Sequence, residues 1–281
     1  MELKINSKII IFLYVVTIIF WFLFVFFTKY SAVLEGWRFD YLLKPFLVGM
    51  TIIPLIGGFA GIKNSLGWGS FKSVLGRAVL SISLGILTWS GGMVIWNYYL
   101  FFTTVEVPYP SLADAIFIFS WPLWIYGLFQ IAKVIGVRFA LRDLSGKRTL
   151  FFLSVVAVLL SVYFSFGLAR DWSISWDEGI LKLFFDLFYP IGDVVILTLI
   201  LPIYWLSRRF LGGIYRVPIL LLLFGFILNY IGDVIFTLTT TTETYFNGHF
   251  SDFLYTTSMF ILALGVSMLN PHILNKEKKS N

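Results

Sequence analysis

The stretch LKLFFDLFYPIGDVVILTLILPIYWL, from Leu181 to Leu206, decides the fold. As a helix rising 1.5 Å per residue it is about 39 Å long, longer than the roughly 30 Å hydrocarbon core of a bilayer. Beyond Lys182 near its start, its only ionisable acids are Asp186 and Asp193, and no polar face recurs at the helical period. A helix that is apolar all round is buried in lipid or in protein. Seven further stretches of this kind surround it: Ile9–Phe27, Phe46–Ile62, Val79–Leu100, Leu112–Ile135, Leu150–Phe166, Val217–Leu238 and Phe253–Leu269. Together they predict an all-α polytopic membrane bundle of eight transmembrane helices, a single domain over residues 1–281, numbered here one to eight in chain order. The first run lacks a small-residue cleavage site after it and reads as a retained signal anchor.

The composition agrees. With 59% hydrophobic and 13% charged residues the chain departs from the roughly one-quarter charged average of soluble domains. The sequence contains no cysteine, which excludes disulfides, thiolate metal sites and cysteine nucleophiles, and two histidines, His249 and His272, which excludes a three-histidine zinc site. No metal and no cofactor are expected. A net charge of +6 would suggest nucleic acid in a soluble chain, but here it has a topological origin. The N-terminus, the loops after helices two, four and six, and the tail hold 16 of the 21 Lys and Arg residues, and the other loops hold 5. Cytoplasmic loops carry the excess, so both termini are expected in the cytoplasm of a cell, with Arg138, Arg142, Lys147, Arg148, Arg208 and Arg209 against anionic lipid. The partner expected is the bilayer, not nucleic acid.

The second half of the chain repeats part of the first. Asp114-Ala-Ile-Phe-Ile-Phe-Ser120 with Gly127 aligns with Asp252-Phe-Leu-Tyr-Thr-Thr-Ser258 with Gly265, and Gly85 and Gly92 of helix three align with Gly225 and Gly232 of helix seven. A four-helix unit used twice returns to the same side and predicts a parallel four-plus-four repeat, with halves 1–140 and 141–281. The pairs Gly57-Gly58 and Gly91-Gly92 read as close helix contacts.

Ionisable groups inside a membrane are functional candidates. Helix six runs inward, placing Asp186 roughly 8 Å and Asp193 about 18 Å below its outer end, and helix seven returns with Asp233 roughly 8 Å below the same surface. Asp186 and Asp193 share a face, with Pro190 freeing a carbonyl between them, and Asn229, Asp233 and Thr237 form a stripe at spacing four. Two readings stand: a carboxylate-lined, outward-facing pocket for a cation, a proton or a basic head group, or interhelical glue in which each carboxyl bonds a neighbouring hydroxyl or amide. Asp114 follows Ser111 in a capping-box pattern and Asp252 follows Ser251 at the start of helix eight, so capping is expected of both. Beside them, loops with Glu106, Glu243 and His249 but no Lys or Arg predict an acidic outer vestibule. Trp121-Pro-Leu-Trp124 would line an apolar pocket or pack the bundle.

Val107-Pro-Tyr-Pro-Ser-Leu-Ala-Asp114, with Trp121-Pro-Leu and Gly127-Leu behind it, resembles the "PxPSxAD...YPLxxxGL" signature of multi-helix sensor modules that precede diguanylate cyclase, PAS or histidine kinase domains in bacteria and archaea. Tyr189-Pro-Ile-Gly-Asp193 is similar to the same family's "YPxxD", and the likeness spans about Gly85 to Leu269. It implies a membrane-embedded input module and carries Asp114, Asp193, Asp233 and Asp252 over as its recurrent polar positions. The sequence ends at Asn281 soon after helix eight, so signalling is expected to pass through a separate partner. The expected function is a sensor-like or ligand-binding module with Asp193, Asp233, Asp186, Asn229, Asp114 and Asp252 at its site. The "Gly-Asp" pairs Gly192-Asp193 and Gly232-Asp233 are also similar to lysoplasmalogenase-type intramembrane hydrolases, and the repeat with a mid-membrane Asp193 suits a small transporter.

The topology makes a prediction that the cysteine-free sequence renders simple to check. In intact cells Glu243→Cys is expected to react with an impermeant thiol reagent and Lys147→Cys is not; the opposite pattern overturns the arrangement.

Overall fold

The computed structural model describes residues 5–29, 39–103, 107–135, 144–173, 179–210 and 215–271. Among them the regular structure is helical, and eight helices are long and apolar enough to cross a membrane: α1 (Ile5–Lys29), α2 (Lys44–Gly67), α3 (Val74–Phe102), α4 (Leu112–Ile135), α5 (Leu144–Val162), α6 (Ile180–Phe210), α7 (Arg216–Thr241) and α8 (Phe250–Met268). The chain is an all-α, multi-pass membrane protein. Glu106, Arg138, Arg142, His272 and the remainder of the tail lie outside the described residues, as do the side chains of Arg208 and Arg209.

Local sequence sets the helix ends. Pro45 occupies the first turn of α2, where a missing N–H costs nothing. Ser73 caps α3 by accepting from the Gly76 amide at 2.8 Å. Ser111 caps α4, which turns at Ile118 and Phe119 before resuming at Ser120. α5 ends in a π-helical segment, Tyr163–Leu168, and Pro190 and Pro202 lie inside α6.

The packing forms a cycle: α2 meets α3, α3 meets α4, α4 meets α6, α6 meets α7, α7 meets α8 and α8 returns to α2. α1 lies outside the cycle against α2 and α8, and α5 lies outside it against α6, with its π segment on α7. Raising each helix number in the cycle by four, with eight followed by one, returns the same set of neighbours. The contacts correspond in detail as well. A Cβ on Gly127 would meet Ile82 and stand 3.2 Å from the Ala78 carbonyl, while one on Gly265 would meet Leu222 and stand 3.2 Å from the Pro218 carbonyl. Gly92 lies against Phe117 as Gly232 lies against Tyr255. Ser258 donates to the Gly225 carbonyl at 2.9 Å, and at the matching place Ser120 and Thr88 share a 2.8 Å hydrogen bond beside Gly85.

In lipid no hydrophobic force separates helix–helix from helix–lipid contact, so close backbone approach and interhelical hydrogen bonds drive association. Gly57 against Ala263 brings α2 onto α8, where Asn64 donates to the Val266 and Ser267 carbonyls, both at 2.9 Å. α1 joins through Ser7 to Ser267 at 2.9 Å and Tyr14 to Thr257 at 3.1 Å. Gly57→Val and Gly265→Val are each expected to destabilise the purified protein by about 1–3 kcal/mol through overpacking, read as a fall in thermal midpoint. Gly91→Ala, where a Cβ meets only Ile116 at 3.4 Å, is expected to leave it unchanged or slightly raised.

Candidate functional site

α6 carries Asp186, Tyr189 and Asp193 at spacings of three and seven, hence on one face. Each meets a different neighbour. Near the start of α6, the buried Asp186 carboxyl accepts from the Tyr109 hydroxyl at 2.8 Å and forms a 3.2 Å ion pair with Arg170. Burial, helped by the charge of Asp186, pushes the Tyr109 phenol well above its ordinary range, so it stays a donor. One turn on, the Tyr189 hydroxyl donates to Asp114 at 3.2 Å and its ring lies 4.8 Å from Trp121. Deeper still, the buried Asp193 accepts from Trp121 Nε1 at 2.9 Å and neighbours Asp233 of α7.

The Asp193–Asp233 contact is the centre of the arrangement. Asp233 also accepts from Tyr255 of α8 at 2.8 Å and from Asn229 Nδ2, one turn earlier on α7, at 2.7 Å. Four helices therefore meet at two carboxyls. Two carboxylates only accept, so neither can satisfy the other without a proton. The donors from Trp121, Tyr255 and Asn229 are neutral, and Arg170 is engaged by Asp186. Along the helices, Asp193 is about 20 Å from the start of α6 and Asp233 about 12 Å from the end of α7. Their contact therefore staggers those two helix ends by roughly 8 Å.

Asp114 and Asp252 serve their own helices. Asp114 Oδ2 accepts from the Ser111 amide at 2.8 Å, completing a capping box, and Asp252 Oδ2 accepts from the Gly248 amide at 2.7 Å. Gly248 is in the left-handed region at φ 89°, and a Cβ there would meet Phe24 at 2.5 Å, so glycine is required. Tyr245 donates to Asp252 at 3.2 Å, and burial pushes that phenol well up. His249 caps α8 by accepting from the Ser251 amide through Nδ1, and burial lowers its pKa, which keeps that acceptor neutral.

Beside the pair lies an open groove of about 590 Å³ between α4 and α6, lined among others by Trp121, Pro122, Ile125, Tyr126, Ile191 and Gly192. Trp121 is its partition: the indole lines the groove while its N–H holds Asp193. Gly192 permits this, since a Cβ there would stand 2.2 Å from the indole. Among the described residues no group of three His, Cys, Asp or Glu side chains gathers as a metal site.

The structure thus brings Asp193, Asp233 and Asn229 together and separates Asp186, Asp114 and Asp252 from them. Asp186 departs from the shared pocket expected of it because Arg170, which the charge count treats as a topological residue, reaches it from the segment after α5. Glu243 is exposed, and Asp114 and Asp252 are buried in capping bonds, so these acids do not gather with the pair. Trp121 is a donor as well as packing. Tyr255, absent from the sequence-based set, had one signal: it stands where the aligned first half has Phe117, so the hydroxyl is the difference.

No protein-family model matches the chain, and neither curated proteins nor solved structures give a significant match. The class is therefore set by the fold and the site alone: a multi-pass helical membrane bundle with two neighbouring carboxyls between α6 and α7, Asp193 buried and Asp233 half-buried.

Arg170→Gln is expected to cost about 3 kcal/mol or more, because Asp186 is left buried without its cation. Adding Asp186→Asn should restore most of the loss, which a double-mutant cycle of thermal midpoints measures.

Proposed function

We propose that the chain is a sensor-like, ligand-binding module of the cell membrane, with both termini cytoplasmic, and that the Asp193–Asp233 pair is its ligand site. The supporting observation is the pair itself. Interhelical glue needs one carboxyl and one donor, whereas two acids set side by side among neutral donors is a costlier arrangement than joining α6 to α7 requires. The charge split orients the bundle so that the N-terminal ends of α4 and α8 face outward, and a ligand reaches the pair from that side. The halves 1–140 and 141–281 act as a parallel repeat around it, and a separate signalling partner takes the output.

A thermal-shift series on the protein in nanodiscs, across pH and with alkali cations and alkylammonium ions as probes, tests this. The parent's midpoint is expected to depend on pH and on at least one cation. Asp193→Asn and Asp233→Asn should remain inserted and folded yet lose that dependence; if both keep it, the carboxyls are structural.

A second reading is supported by the apolar groove ending at Trp121 beside two carboxyls. An acid–base dyad next to a slot for an acyl chain suits an intramembrane hydrolase similar to lysoplasmalogenases. Lysophospholipid cleavage by the parent, lost in both Asp→Asn variants, would replace the binding reading.

A further inference from the structure

The groove between α4 and α6 has a direction and a charged end. Its lining runs from Trp121 to Phe129 on α4 and from Phe188 to Leu199 on α6, in steps that return to one face of each helix, so it follows both helix axes. At 1.5 Å per residue it is about 12 Å long on α4 and about 17 Å on α6. One leaflet holds roughly 15 Å of hydrocarbon, half of the bilayer core. In the walls, Phe129 and Ile191 are 51% and 54% exposed, so hydrocarbon from outside the protein has to cover them. An open apolar slot of that length fits one acyl chain.

The α4 face that lines the groove continues beyond it to a cation: Pro122, Tyr126, Phe129 and Lys133 recur at spacings of four, three and four. Lys133 is exposed, and its side chain runs back toward the groove, with the ammonium 4.5 Å from the centre of the Phe129 ring. The slot therefore has Trp121 at one end and a positive charge at the other. At the Lys133 end of the bundle, Lys147 and Arg148 are also exposed, near the start of α5. Among the described residues no carboxylate pairs with any of the three, whereas Lys44 and Arg170 are held by Asp40 and Asp186. Neither α4 beyond Asp114 nor α6 beyond Asp193 contains an acid.

A neutral lipid would fill the slot and leave the charge at its mouth unanswered. A soluble anion would meet the charge and leave the slot. An acyl chain carrying an anionic head group answers both, and lysine, a point charge, suits phosphate. The charge split assigns this end of the bundle to the cytoplasm, the side on which anionic lipids and basic pockets between helices meet. We propose that the α4–α6 groove and Lys133 form a specific site for one anionic phospholipid of that leaflet. One acyl chain lies in the groove with its tip toward Trp121, the phosphate stands against Lys133, and Lys147 and Arg148 add attraction at longer range.

The site does not depend on what the Asp193–Asp233 pair binds, and neither does its test. The full chain in detergent is titrated with phosphatidylglycerol or with phosphatidylcholine of the same chains. Phosphatidylglycerol is expected to raise the thermal midpoint saturably and to persist as a single adduct in native mass spectrometry, and phosphatidylcholine to do neither. Glycerophosphate, a phosphate head without chains, should give no rise. Phosphatidylglycerol with a diazirine on one acyl chain should cross-link mainly to segments 121–129 and 188–199, a readout that needs no variant. Lys133→Gln should raise the half-saturating phosphatidylglycerol concentration about fivefold, whereas Lys63→Gln, exposed near the end of α2, should leave it unchanged. Val195→Phe, which fills the groove and leaves the charge, should remove the saturable rise. Equal responses to the two lipids, a rise with glycerophosphate alone, or cross-links spread over every lipid-facing helix overturns the site. So does equal weakening by Lys63→Gln and Lys133→Gln, or an unchanged response in Val195→Phe.

Discussion

A carboxyl in an apolar interior must find a donor, a proton or a cation, and the Asp193–Asp233 contact is where this constraint holds the bundle together. Asp193 fixes α6 against α7 and, through Trp121, against α4; Asp233 fixes α7 against α8 through Tyr255. Each is a hydrogen bond lost within about 1 Å of displacement, so sliding any of the four helices by a turn would strand a carboxyl. Gly192 and Gly232 flank the pair and let Trp121 and Tyr255 approach closely enough to donate. The glycines alone set distance; the carboxyls set register.

Much of this architecture is legible in the chain because lipid imposes a simple rule. A span needs a long apolar run, and the eight runs from Ile9–Phe27 to Phe253–Leu269 match the eight helices to within a turn or so at most ends. The capping roles of Asp114 and Asp252 are local, written within four residues, and both appear as expected. Long-range partners are another matter. Tyr109 and Arg170 reach Asp186 from segments 77 and 16 residues away, and nothing in periodicity says which polar group a membrane carboxyl will find. Seven-residue spacing correctly puts Asp186 and Asp193 on one face, yet a face seven residues long crosses two layers of neighbours. Same face is not same site.

Matching contacts in the two halves do not carry the same chemistry. At the repeat offset Asp233 corresponds to Met93, Asn229 to Trp89 and Tyr255 to Phe117. The first half thus fills with apolar side chains the place where the second half assembles acid, amide and phenol. Trp89 packs on both Phe117, at 5.8 Å, and Tyr255, at 6.2 Å, and so stands between the apolar and the polar versions of one arrangement. The glycine and serine contacts recur in both halves, while Asp233, Asn229 and Tyr255 stand only in the second and the remaining donor, Trp121, comes from the first.

Trp121 joins the site to the membrane face. Its indole walls the α4–α6 groove, packs on Tyr189 and Trp124, and gives its one N–H to Asp193. An indole has a single donor and no acceptor, so it cannot leave Asp193 and remain satisfied unless water or a ligand replaces the carboxylate. Whatever widens the groove by moving that ring also withdraws a hydrogen bond from the pair, and whatever rearranges the pair loosens the wall. The groove wall and the carboxyl pair share this one side chain. Gly192 leaves the indole room to stand where both contacts are made.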